Sequence, residues 1–147
     1  MTGGGRILLV EDRSGECELF HRALEQAEFA GRLSTAPDAE SGFKVLEVAA
    51  ETGTGALPWL IVLDLKLASL NGLTLLRRIR QDSRFAHVPV VMLTTSDDPH
   101  DMQICYEAGA NGYVVKPGTF AELVSLVTDL SRFWLIWNRT HKSAVQC

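Results

Sequence analysis

Several things are scarce in this chain. Among 147 residues there are three cysteines, Cys17, Cys105 and Cys147, an odd number without paired spacing. That usage argues against a disulfide framework and against a zinc site, and it fits reduced thiols in a cytoplasmic protein. Basic charge is in deficit: 14 Lys and Arg face 18 Asp and Glu, for a net charge of −4. A nucleic-acid surface needs a basic stripe, so no nucleic-acid partner is expected. No apolar run approaches the ~20 residues of a membrane-spanning helix. The start, Met1-Thr2-Gly3-Gly4-Gly5-Arg6, lacks the basic start and separate apolar region of a secretion signal. Internal repeats and low-complexity segments are missing too.

What the chain does have is apolar residues in short bursts. They make up 46% of it, enough for a core, and the length suits one domain. Leu60-Ile61-Val62-Leu63 is continuously apolar and ends in Asp64. A run apolar on both faces is a strand covered on both sides, as in a parallel sheet between helix layers. An Asp at its C-terminal end stands at the mouth of the sheet, where open α/β proteins bind ligands. Apolar neighbours make that position costly for a carboxylate, which marks Asp64 as a candidate nucleophile.

The other elements follow in order. Arg6 to Val10 is a second buried strand, followed at once by Glu11-Asp12. A helix from about Ser14 to Glu28 lines up Cys17, Phe20, Leu24 and Ala27, and Gly31 breaks it. Arg32 to Ala36 reads as a short edge strand. Asp38 caps a helix to about Glu51, with Phe43, Leu46 and Ala50 inward. Residues 52–58 form a loop by composition. After Asp64 comes a loop to Leu70. Asn71 then caps a helix with Leu73, Leu76 and Ile79 on one face and Arg77, Arg78 and Arg80 largely in water. Pro89 to Leu93 is the fourth strand and runs into Thr94-Thr95-Ser96. Asp98-Pro99 starts a helix that stops at Gly109-Ala110-Asn111-Gly112. Tyr113-Val114-Val115 is the fifth strand, ending at Lys116-Pro117, and the last helix spans about Thr119 to Trp137. Five strand–helix units in alternation, joined by right-handed crossovers, make a parallel sheet with helices on both faces.

The strand ends collect Glu11, Asp12, Asp64, Thr94 and Lys116. Three carboxylates at one mouth repel one another, and a hard divalent cation such as Mg²⁺ relieves the conflict. Lys116 can grip a phosphoryl oxygen, and Thr94 can donate to another. The set describes phosphoryl transfer by charge neutralisation and positioning.

The pieces Leu9-Val10-Glu11-Asp12, Val62-Leu63-Asp64, Asn71-Gly72, Leu93-Thr94-Thr95-Ser96, Ala108 through Tyr113, and Lys116-Pro117 together resemble the receiver domain of two-component response regulators. The resemblance spans about residues 6–137. It implies a doubly wound, flavodoxin-like (βα)5 α/β fold with strand order 2-1-3-4-5. It makes Asp64 the phosphoacceptor. Asp12 is the direct Mg²⁺ ligand beside Asp64, Glu11 supports through water, and the Lys66 backbone carbonyl completes the site. Thr94 and Tyr113 form the switch pair, and Lys116 binds the phosphate. Lys66 and Ser96 sit where the family tunes self-dephosphorylation. Arg13-Ser14 and Ala68 depart from residues frequent in the family, without removing a catalytic group.

The partner implied is a sensor histidine kinase, and the protein acts on its own side chain rather than turning over a substrate. Only ten residues follow Trp137, so a single receiver without an output domain is expected. Phe120, Leu123, Val127, Leu130, Trp134 and Trp137 form one stripe of the last helix. Phe133-Trp134-Leu135-Ile136-Trp137 is apolar all round, a surplus that points to a homodimer through Phe133, Trp134 and Trp137. Thr94-Thr95-Ser96 and Phe133-Trp134-Leu135 resemble small receivers that partner phytochrome-type kinases. A flavodoxin-like FMN binder is disfavoured because Glu11-Asp12 repels a phosphate. A phosphatase with an aspartyl nucleophile needs a general acid where Lys66 stands. A receiver-shaped dimerisation module that is never phosphorylated is the remaining alternative.

Overall fold

The computed structural model describes residues 5–67 and 71–139. Five parallel strands, β1 (Arg6–Val10), β2 (Arg32–Ala36), β3 (Leu60–Leu63), β4 (Val90–Thr94) and β5 (Gly112–Val115), lie in the order β2-β1-β3-β4-β5. Between and after them run α1 (Ser14–Gln26), α2 (Ala39–Thr52), α3 (Gly72–Gln81), α4 (Pro99–Glu107) and α5 (Phe120–Arg132). The doubly wound topology is the expected one. No helix among the described residues is long and apolar enough to cross a membrane.

Alternation along the strands divides the core in two. Leu8, Val10, Ile61, Leu63 and Met92 pack with Phe43, Leu46, Leu75, Leu76 and Ile79 of α2 and α3. Ile7, Leu9, Leu60, Val62 and Leu93 face Phe20, Leu24, Val127 and Leu130 of α1 and α5. The continuously apolar runs of β1, β3 and β4 are therefore buried on both sides. Phe85, in the turn after α3, is fully buried and meets Phe43 edge-on at 5.5 Å. The caps on Asp38, Asn71 and Asp98 form as expected, their side chains accepting from the amides of Ser41, Thr74 and His100. Gly109 takes the left-handed turn after α4 with φ +106.

Four expectations are corrected. The chain leaves α1 through Glu28 at φ 58, before Gly31 is reached. Residues 52–58 are not wholly irregular, because Thr54–Ala56 forms a 3₁₀ turn. Arg80 is not in water, and its guanidinium reaches backbone oxygens at the start of β4 and β5. The last helix reaches Trp137 as expected but is not α throughout: after α5 the segment Phe133–Trp137 is π-helical, closed by the Asn138 amide donating to the Phe133 carbonyl at 2.7 Å. The wider turn rotates the side chains, so Leu135 is buried at the place α-periodicity assigned to its neighbours. Phe133, Ile136 and Trp137 stay exposed, Trp137 at 75%. Ala68 lies outside the described residues.

Candidate functional site

Each strand end delivers its side chain through one extra rung or a tight turn. Beyond β1, the Glu11 amide donates to the Ala36 carbonyl at 3.0 Å. Beyond β3, the Asp64 amide donates to the Val10 carbonyl at 3.1 Å, and the Asp64 Oδ1 accepts from the Lys66 amide at 3.0 Å. That side-chain-to-backbone bond turns the chain out of the sheet. Gly72 comes so close beneath that an added Cβ would overlap the Asp64 carbonyl oxygen, so glycine is required there. Beyond β5, the Lys116 amide donates to the Thr94 carbonyl at 2.7 Å, which registers the lysine against the end of β4.

These ends converge. The Lys116 Nζ lies 2.7 Å from the Glu11 Oε1, 3.1 Å from the Asp64 Oδ2 and 3.2 Å from the Glu16 Oε1. Glu11 and Asp64 are buried, and the Lys116 side chain is only 13% exposed. Carboxylate oxygens of Glu11, Asp12 and Asp64 lie within 4.8 Å of one another. Burial pushes the Glu11 carboxyl above its usual range and the Asp64 charge adds to this, against the pull of Lys116. Burial alone would depress the Lys116 ammonium, but its hydrogen bonds to Glu11 and Asp64 prevail and hold it above its ordinary value. Negative charge is in surplus here, and the donors are all oxygen, the set a hard cation prefers.

The end of β4 is a second small network. Thr94 is fully buried, and its Oγ1 accepts from the Ser96 amide at 3.3 Å. Ser96 Oγ donates to the Asp101 Oδ2 at 2.6 Å, and Tyr113 Oη donates to the Ser96 carbonyl at 2.9 Å. No hydrogen bond joins Thr94 to Asp64 among the described residues.

The structure thus brings together Glu11, Asp12, Asp64 and Lys116, and it links Thr94, Ser96 and Tyr113 beside them. Lys66 contributes its amide, while its side chain is exposed. Phe133, Trp134 and Trp137 lie apart from this edge. Sequence reasoning missed Glu16 and Asp101. The signal for Glu16 was present: α1 opens directly after the acidic doublet, so its first turn has to overhang the sheet edge. Asp101 occupies the same position in α4, one turn past Thr94-Thr95-Ser96.

Parallel strands in this order, with carboxylates and a lysine at their C-terminal edge, define an α/β protein of the receiver type. A family model for the response regulator receiver domain matches residues 7–128, and the chain belongs to that family. It is similar to the probable methanogenesis regulatory protein FilR2 of Methanothrix harundinacea, 36% identical over 91% of this chain and 86% of FilR2. It is also similar to response regulator Rcp1 of Synechocystis sp., 32% identical over 88% of each chain. The Mn²⁺-bound structure of Rcp1 matches with a TM-score of 0.79 at 30% identity, covering 92% of this chain and 97% of that one. The phosphorylated cyanobacterial phytochrome response regulator RcpA matches with a TM-score of 0.83 at 28% identity, covering 93% of this chain and 98% of that one.

Proposed function

We propose that this receiver takes a phosphoryl group onto Asp64 from the phosphohistidine of a sensor kinase and passes the event on as a conformational change. The observation that carries the reading is the Lys116 ammonium held 2.7 Å from Glu11 and 3.1 Å from Asp64, a mobile cation already at the reacting carboxylate. An Asp64 oxygen attacks phosphorus, forming the P–O bond. The P–N bond to the donor imidazole breaks, and that nitrogen takes a proton. Lys116 exchanges a carboxylate partner for a phosphoryl oxygen. Thr94 moves toward the phosphoryl group and its hydroxyl donates to another phosphoryl oxygen. Tyr113 follows, so phosphorylation biases an existing equilibrium.

The oxygen-only donors of Glu11, Asp12 and Asp64 within 4.8 Å suit Mg²⁺, which Asp12 and Asp64 would hold, with Glu11 acting through water and the Lys66 carbonyl completing the set. When bound, Mg²⁺ neutralises the carboxylates and the incoming phosphate. Lys66 and Ser96 set the lifetime of the acyl phosphate. Similarity to RcpA, a cyanobacterial phytochrome response regulator, supports a phytochrome-type kinase as donor. The exposed Phe133, Ile136 and Trp137, with Trp134 stacked edge-on against Phe133 at 4.8 Å, support a homodimer through this end of the molecule.

Incubation with acetyl phosphate and Mg²⁺, read by intact mass and molecular size together, tests both points. One phosphoryl group is expected, absent from Asp64→Asn, on a dimer that Trp137→Glu splits. Mg²⁺-dependent, acid-stable labelling of Asp64→Asn would overturn the assignment.

A further inference from the structure

The three carboxylates around the Lys116 ammonium differ in their access to water. Glu11 lies at 2.7 Å with 4% of its side chain exposed, Asp64 at 3.1 Å with 9%, and Glu16 at 3.2 Å with 38%. An ammonium has three N–H donors, so three carboxylates already match its capacity. A phosphoryl oxygen has to take the place of one of them. Releasing Glu11 would leave a buried charge without its cation, the most unfavourable choice. Asp64 receives the phosphoryl group, so the ammonium has to stay beside it. Glu16 can return to water: it shares an open cavity with Lys116, Leu19, Pro117 and Phe120. It stands in the first turn of α1, which opens at Arg13 without a side-chain cap. An acidic charge suits that helix end, yet that role does not require an ion pair with a lysine beyond β5.

From this geometry we infer that Glu16 is a positioning residue that acts through Lys116: it is the carboxylate that the ammonium exchanges for a phosphoryl oxygen, and by competing for the ammonium it slows phosphorylation. The inference rests on the receiver reading above. Glu16 holds Lys116 before the phosphoryl group arrives and releases it afterwards. The contact therefore stabilises the starting state without stabilising the transition state, which raises the barrier. Glu16 adds little to the placement of Nζ, because Glu11 is closer and buried. Its own partial exposure keeps the competition modest. Glu16 thus sets how readily the site reacts, while Glu11 keeps the lysine in place.

The test compares Glu16→Gln, Glu18→Gln, Lys116→Met and the double variant Glu16→Gln with Lys116→Met, in the full chain at saturating Mg²⁺. Glu18 lies on the same helix and pairs with Arg22 at 4.0 Å, so its variant removes an equal charge from a different partner. Labelling by acetyl phosphate should quicken about fivefold in Glu16→Gln and stay unchanged in Glu18→Gln. Glu16→Gln should bring no gain in the Lys116→Met background. With isotope-labelled lysine, NMR of the four side-chain ammonium groups reads the contact directly. Glu16→Gln should shift the Lys116 signal, which is identified by its loss in Lys116→Met. An unchanged or slower rate in Glu16→Gln, with only a lowered Tm, would reduce Glu16 to a helix-end charge and overturn the exchange. An equal gain in Glu18→Gln or in the Lys116→Met background would overturn it too, since either result means charge repulsion without the lysine. A Lys116 signal unmoved by Glu16→Gln would overturn the contact itself. Labelling that persists in Asp64→Asn would overturn the receiver reading, and the exchange with it, even where the Lys116 signal shifts.

Discussion

Half-buried cations stand at both edges of the sheet, and two of them, Arg80 and Lys116, are surrounded in opposite ways. At the N-terminal edge, Arg80 donates from Nε to the Gly109 carbonyl at 2.8 Å. One terminal nitrogen reaches the Ala86 and Val88 carbonyls at 3.2 and 2.8 Å, and the other reaches the Asn111 Oδ1 at 2.7 Å. Asn111 in turn accepts from the Val90 amide at 2.8 Å. All these acceptors are neutral. Burial pulls the guanidinium below its ordinary pKa, with no anion to offset it. The rigid fork sets four of its five N–H groups on acceptors held by the turns before β4 and β5. At the C-terminal edge, Lys116 has one flexible ammonium for Glu11, Glu16 and Asp64, with Asp12 alongside. Its partners are charged, interchangeable and too many. Fixed geometry pins the ends of α3, β4 and β5, whereas surplus charge leaves the other edge able to receive a cation and a phosphate.

That contrast can be broken by experiment. Lys116→Met is expected to cut acetyl-phosphate labelling about 100-fold, the scale of losing one charge-stabilising donor. Labelling within a few-fold of the unmutated protein would show that the ammonium is no more than a structural tie. Arg80→Lys keeps the charge and loses the fork, leaving carbonyls of the β4 and β5 turns unpaired. A cost of about 2 kcal/mol follows, a Tm lower by about 6 °C, with labelling per folded molecule unchanged. An unaltered Tm would remove the claim that this edge depends on geometry.

The smallest effect concerns Glu11, whose carboxyl burial raises above its ordinary 4.5. Between that value and the raised one, the folded state binds more protons than the unfolded chain. Stability therefore falls as pH rises through this window, and the Glu11 contribution is intact below it. In metal-free buffer, urea unfolding at stepped pH should show the slope, and Glu11→Gln should flatten it. An equal slope in both proteins would place the charge conflict elsewhere.

Much of this was legible before any coordinates. Runs such as Leu60 to Leu63 read as doubly covered strands because nothing polar interrupts them, and Asp38, Asn71 and Asp98 are capping residues by their own chemistry. Arg80 was misread because helical periodicity assigns it outward, while its destination is set by the turns before β4 and β5, which are distant in the chain. The stripe through Trp134 and Trp137 was misread for a related reason: a π-turn shifts the phase of the side chains in it, so Leu135 is buried and Trp137 is exposed. Asp101 stayed hidden because a lone acidic residue in a first helical turn looks like an ordinary helix-end charge, whereas Glu16 is signalled by its place just after the acidic doublet.

By itself the sequence determined the alternation of five strands and helices, the family, and which side chains stand at strand ends. Each of those follows from local pattern: apolar runs, caps and short motifs. Tertiary structure alone decided that one ammonium serves three carboxylates, that Ser96 joins Thr94, Asp101 and Tyr113, and that Arg80 closes the opposite edge. Those are distances between segments far apart in the chain, set by strand order and crossover packing, and no local pattern contains them.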